Sequence, residues 1–407
     1  MGAGTLVELI ARGKQDTYII GNPQFSFFKS VYKRHTNFAI EPIKQIFTES
    51  PDFGKRVTCI IDKKADMLSD IILELELPEL KTYVSWTNSI GCYIIDWVEL
   101  QFGGEPIDRI SGDLLDIFLE LTSTVGKKQS LYKMIGKYST FGNNTQTKAV
   151  KLLIPLPFWF CRSIEKALPL ISMQYTDIKL VFQFKTFDKC WYKLIGNNTT
   201  EPSNKINITK ANLLCNFVYL DVFERTKFTK ELNHEYLIEQ FQSINNFTVP
   251  ENIINTNLKL IMNHPIKELI WTYRTDAATK HNDYYNYANI QNYNNSTDEI
   301  ITSPFNEINL RFNGNDRFEK LSEIYFRLYQ PYKHHKSGTN DYIYMYSFSL
   351  DPENIQPSGS CNFSKIDNIT LNIEFKNNIQ NGIINVYGIN YNILRIQNGM
   401  SGLMFSS

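Results

Sequence analysis

Two seven-residue runs, IKLVFQF (Ile178–Phe184) and ITLNIEF (Ile369–Phe375), constrain this chain more than any other feature. In each, the apolar side chains fall at every second position, with lysine, glutamine, threonine, asparagine or glutamate between most of them. A period of two is the mark of a strand with one buried face, because successive side chains leave opposite sides of the pleat. The runs lie 369 − 178 = 191 residues apart, close to half of the 407-residue chain. Before the second run stands another alternating stretch, in which Tyr342, Tyr344, Tyr346, Phe348 and Leu350 point one way. Asp351-Pro352 and Pro357-Ser358-Gly359 break the chain between them. LLIPLPFWF (Leu152–Phe160) holds the corresponding place before the first run.

Two further pairs follow the same plan. VELQFGGEPIDR (Val98–Arg109) matches INLRFNGNDRF (Ile308–Phe318) at an offset of 308 − 98 = 210. LSDIILELEL (Leu68–Leu77) matches PIKELIWTYR (Pro265–Arg274) at 265 − 68 = 197. Similar offsets in the same order predict two copies of one all-β unit, since a period near 200 is far too long for a solenoid repeat or a propeller blade. Each copy offers about eight short strands with long loops, the pattern of a sandwich or jelly roll. The expected domains are an N-terminal segment 1–25, a first jelly roll 26–222, a charged connection 223–236 and a second jelly roll with a tail, 237–407.

Between the strands, TLVELIAR (Thr5–Arg12) and DLLDIFLEL (Asp113–Leu121) have helical spacing; in the latter Leu114, Ile117, Phe118 and Leu121 form one stripe, and Ser111 or Asp113 can cap it. Residues 136–148, 188–212 and 275–303 read as polar surface loops, and Asn398–Ser407 as a trailing tail. Strands are expected over Val57–Asp62, Ile71–Leu77, Tyr93–Phe102, Leu213–Val222 and Ile383–Leu394.

Composition narrows the function. Forty-two basic residues balance 42 acidic ones, and no cationic arm stands out. Affinity for phosphate comes mainly from Lys and Arg, so direct binding of nucleic acid is not expected. Six scattered cysteines without a C-x-x-C pair fit neither a disulfide framework nor a zinc site, and read as buried free thiols. No secretory leader opens the chain and no run of about 18 apolar residues would span a membrane.

No cofactor site and no catalytic constellation is legible. Gly103-Gly104-Glu105 lacks dinucleotide-loop spacing and reads as a tight turn, as do Pro357 and Gly359. His234-Glu235 lacks the second histidine of H-E-x-x-H. The adjacent His334 and His335 would face opposite sides of a strand and could not chelate together. Of nine N-x-[ST] sequons, Asn143, Asn198, Asn207 and Asn295 fall in loops and are the candidate glycan-bearing positions; Asn362 and Asn368 lie among strands, where a structural role is expected.

Six segments carry a resemblance that runs almost end to end. They are GNPQFSFFKSVYKRHTNFAIEPI (Gly21–Ile43), DWVELQFGGEPIDRISGDLLDIFLELT (Asp96–Thr122), HEYLIEQFQ (His234–Gln242), NHPIKELIW (Asn263–Trp271), FSLDPENIQPSGSCNFSKIDNITLNI (Phe348–Ile373) and NVYGINYNILRIQNGMSGLMFSS (Asn385–Ser407). The chain resembles the double jelly-roll major capsid proteins of nucleocytoplasmic large DNA viruses. That resemblance implies two jelly rolls side by side in each subunit, and a homotrimer whose six barrels give a pseudo-hexagonal capsomer. It further implies neighbouring capsomers and inner-face minor capsid proteins as partners, an internal viral membrane reached through those partners, and assembly of virions in the host cytoplasm. Two alternatives stand beside it. One is a double jelly-roll scaffold on assembling membranes; the other is a carbohydrate-binding jelly roll using Tyr284, Tyr285 and Tyr287.

Overall fold

The computed structural model describes residues 2–80, 84–137, 148–193, 206–291, 300–338 and 342–405, in two compact units, Met1–Asn37 and Phe38–Ser407. The first unit holds the helices Ala3–Ile10 and Thr17–Ile20 and buries none of their residues. Phe25 and Phe27 meet edge-on at 5.0 Å, while Phe27, Phe28 and Tyr32 are exposed.

In the second unit, alternating sequence becomes two sets of eight strands. Counted along the chain, the first set is Phe38–Gln45, Arg56–Ile60, Met67–Leu77, Ile95–Phe102, Glu105–Ser111, Val150–Pro155, Ile178–Phe184 and Lys210–Leu220. The second is Asn233–Val249, Asn255–Lys259, Pro265–Thr275, Phe305–Phe312, Asn315–Asp316, Tyr344–Ser347, Ile369–Phe375 and Gly382–Gln397. Within each set the strands form one sheet in the order first, eighth, third, sixth and a facing sheet in the order second, seventh, fourth, fifth. Every pairing between them is antiparallel. That shared order is the jelly roll, made twice.

The repeat pairs land on equivalent strands, with one correction. The pairs at offsets 191 and 210 place buried residues on buried residues, such as Leu180 on Leu371 and Leu100 on Leu310. The third-strand pair is out by one. Ile71, Leu73 and Leu75 point into the first barrel, and their counterparts are Leu269, Trp271 and Tyr273, an offset of 269 − 71 = 198. A slip of one residue would turn every side chain to the wrong face. The 198 register also superimposes a bulge: the ladder skips Ser69 in one strand and Lys267 in the other.

Boundaries differ where tertiary packing intervenes. The segment before the fourth strand is not extended, because Ile90–Tyr93 forms a buried helical turn. Val222–Lys230 is a helix with nothing buried, and Asn233–Tyr236 already belong to the next strand. The Asn398–Ser407 tail does not trail off: Met400–Leu403 pairs back onto the last long strand. The helix Gly112–Thr122 is capped by the Ser111 hydroxyl, which accepts from the Leu114 N–H at 3.3 Å, and its predicted stripe is wholly buried.

The core of the first barrel does not stop at its own wall. One core, with Leu269, Trp271, Tyr273, Leu371, Ile373 and Val386, lies inside the second barrel. The other fills the first barrel and continues outward to Phe241, Ile270, Met345, Tyr387 and Ile389. Those five sit on the opposite face of the second barrel's sheet, which is therefore covered on both sides.

Candidate functional site

The feature most built up by the sequence is this seam. Its apolar centre is Phe118 of the capped helix against Phe241 of the Asn233–Val249 strand, rings edge-on at 5.4 Å. The Arg162 guanidinium lies 4.5 Å from one ring and 4.9 Å from the other.

Around that centre, charges from both barrels converge. Glu239 bonds Arg162, takes Lys267 at 2.7 Å and Lys166 at 3.3 Å. Burial would raise the Glu239 carboxyl, but Arg162, Lys267 and Lys166 outweigh it and hold it at about 2. Lys267 reaches Glu239 because it is the bulged residue of its strand, and a bulge re-aims a side chain. It also donates to the Pro352 carbonyl at 2.7 Å. Beside this network, Asp108 accepts the Phe241 N–H at 2.9 Å; burial pushes its carboxyl up to about 7 against that bond and Arg162. Farther along, Arg274 reaches Asp113 at 3.3 Å, and Lys185 stands 3.6 Å over the Tyr93 ring, which stacks on Tyr284 at 4.1 Å.

A cavity of about 280 Å³ opens beside Glu239, bounded by Asp70, Phe118, Lys267 and His335. His335 contacts Glu353 at 3.0 Å and Glu268 at 3.3 Å. Burial lowers its pKa, but the two carboxylates, Glu268 first, raise it to about 9. The linkage sign follows: a group raised above its unfolded value near 6.5 stabilises fully below that value and loses its contribution as pH rises through 9. A shift of that size corresponds to about 3 kcal/mol. We expect the melting temperature to fall between pH 6.5 and 9, and His335→Gln to flatten that slope; an unchanged slope in the variant would refute the assignment.

The residues singled out in the sequence fall as follows. Gly103 and Gly104 turn the fourth strand into the fifth with φ of +59° and +94°. Gly359 has φ +140°, with the Phe348 carbonyl 2.7 Å from where a Cβ would sit, and Pro357 precedes it, exposed. Asn207 is exposed, whereas Asn143, Asn198 and Asn295 lie outside the described residues. The Asn362 side chain accepts from the Ser364 N–H at 3.1 Å.

Other expectations are corrected. Tyr284 and Tyr287 are buried and Tyr285 nearly so, its hydroxyl donating to the Gly112 carbonyl at 3.3 Å. The first part of the 275–303 loop is thus packing at the seam, and these tyrosines offer no platform for a sugar. Part of 188–212 is also interior, with Cys190 and Tyr192 buried. His334 and His335 are not on a strand: they close the helix Gln330–His334. The Tyr342–Leu350 alternation gives a strand only at Tyr344–Ser347, and Leu350 is 79% exposed. All six cysteines are free thiols, as expected, but Cys161 and Cys361 are only half-buried; burial pushes Cys59 and Cys190 up to about 12.

Comparison with known proteins accords with this architecture. The family described as major capsid protein N-terminus matches residues 26–221, and that described as large eukaryotic DNA virus major capsid protein matches 224–402. A major capsid protein of Pyramimonas orientalis virus is 35% identical over the whole of both chains. One from Paramecium bursaria Chlorella virus 1 is 32% identical, again over the whole of both. Among solved structures, the subunit in a quasi-atomic model of the PBCV-1 virus capsid superimposes with a TM-score of 0.82 at 28% identity, covering 94% of this chain and 100% of that one. The Faustovirus major capsid protein shares the fold with a TM-score of 0.79 at 11% identity, over 97% and 96% of the two chains.

Proposed function

Because the chain belongs to the major capsid protein family of large eukaryotic DNA viruses, we propose that it builds the shell of such a virus as a homotrimeric, pseudo-hexameric capsomer. The observation that carries this reading is the pair of barrels with one strand order, locked into a single chain by a buried seam. A cyclic trimer closes through one contact used three times. With two near-copies per chain, a threefold object acquires a six-sided outline and can tile a hexagonal lattice.

On this reading the protein resides in the virion, is assembled in the host cytoplasm and works by association, not by catalysis. Capsomers meet one another laterally. The N-terminal unit, with Phe27, Phe28 and Tyr32 exposed, supplies the surface that minor capsid proteins cover at the inner face, and these link the shell to an internal membrane. Exposed Asn207 is the glycan position we assign among the described residues. Sedimentation and electron microscopy of the purified protein should give a three-chain particle with a six-sided face. A stable monomer at high concentration would refute the proposal.

A further inference from the structure

In the first barrel, Ser111 lies opposite Trp97; in the second, Ser322 lies opposite Glu307. Since Val98 corresponds to Ile308, Ser111 and Ser322 hold one place, 322 − 111 = 211 residues apart. The helix after Ser111 presents Phe118 to the seam. The helical segment after Ser322, a π turn Tyr325–Tyr329 running into Gln330–His334, carries Tyr329 at the same distance, 118 + 211. It has no barrel to face: Ile324 is 53% exposed, Tyr329 46% and Leu328 39%. Large apolar side chains grouped on one exposed surface mark an interaction site.

The receiving wall has its counterpart too. Leu73 pairs with Leu213 and Leu213 with Gln45; Trp271 pairs with Val386 and Val386 with Ile244. Gln45 and Ile244 are therefore equivalent, 244 − 45 = 199 residues apart, which places Glu239 and Phe241 on Ile40 and Pro42. In the second barrel that wall is buried at the seam. In the first barrel it is open, with Ile40 47% exposed and Pro42 exposed. One chain thus has one used pair of faces and one unused pair of the same kind.

We infer that the Ile324–Leu328–Tyr329 face of one copy docks on the Ile40–Pro42 wall of the next, repeating the internal seam between chains. This rests on the three-copy reading above and identifies its contact. The predicted contact is heterologous, so its two faces can be broken separately. Leu328→Glu and Ile40→Glu each place a charge in the contact while sitting on the monomer surface. By sedimentation, each variant alone should lose the wild-type three-chain mass and run as a single folded chain, and the two single chains should melt at the same temperature as each other, since both have lost only the stabilisation that assembly adds. Mixed in equal amounts they should form a two-chain particle, because L328E keeps its wall and I40E keeps its helix face. A wild-type protein that is itself monomeric overturns the capsomer reading. A trimeric wild type whose variants stay trimeric, or whose mixture stays monomeric, overturns this contact alone. Should L328E melt early, Ile324→Glu is read in its place by the same criteria.

Discussion

Glu239→Gln is expected to lower the stability of the folded chain by about 3–5 kcal/mol, the range for removing one partner of a buried ion pair. The carboxylate is nearly inaccessible and compensates Arg162, Lys166 and Lys267. An amide of the same shape leaves Lys267 buried beside a neutral group. Denaturant titration measures the loss, with Glu235→Gln as the comparison. Glu235 meets Arg395 at 2.8 Å on the surface, where both side chains are about half exposed, and losing such a pair costs less than about 1 kcal/mol. If the two variants cost the same, the seam network does not hold the barrels together. Because the Glu239 carboxyl is held down at about 2, its contribution is present above pH 4.5 and is lost as pH falls through 2. The penalty of the substitution should therefore shrink in acid.

Trp271→Ala carries the second large effect, again about 3–5 kcal/mol. The indole is fully buried inside the second barrel, packed 5.4 Å from Phe326 and stacked at 6.4 Å on Tyr344. Its N–H finds no hydrogen-bond partner among the described residues. Trp271→Phe therefore removes no hydrogen bond, refills most of the space and should cost less than about half as much. Thermal melts of both variants test this. Equal losses would mean that the indole N–H is satisfied after all, by a group such as a bound water.

Much of the fold was legible because a strand with one wet face writes its orientation into every second residue. Ile178–Phe184 and Ile369–Phe375 alternate cleanly and lie where alternation places them. Legibility fails where both faces are dry. Pro265–Thr275 is buried almost throughout, so its pattern could not separate the barrel side from the seam side, and the repeat register slipped by one. In the Tyr342–Leu350 run the alternation held through Phe348, since Tyr344, Tyr346 and Phe348 pack on the second core while Met345 faces the first, and it failed only at Leu350, which is exposed. Polar composition hid the rest. Tyr284, Tyr285 and Tyr287 sit among asparagines that suggest solvent, yet their rings are used as packing. The partners of Glu239 come from residues 162, 166 and 267, separations that no local motif records. The one usable signal was charge out of place: Lys267 and Glu268 side by side, with Arg274 farther on, in a strand that also carries Ile266, Leu269, Ile270 and Trp271.

The doubly covered sheet also sets how freely the two halves can vary. Outward positions of the first barrel's wall, such as Ile40 and Lys44, behave as skin before assembly and accept polar replacements without harm to the single chain. Their counterparts Glu239 and Ser243 descend from the same plan, yet Glu239 is entombed by its sibling barrel and tolerates change as poorly as an interior residue. Two halves that began alike are thereby held to different rules of substitution, and drift between them is expected to be fastest where one is covered and the other bare.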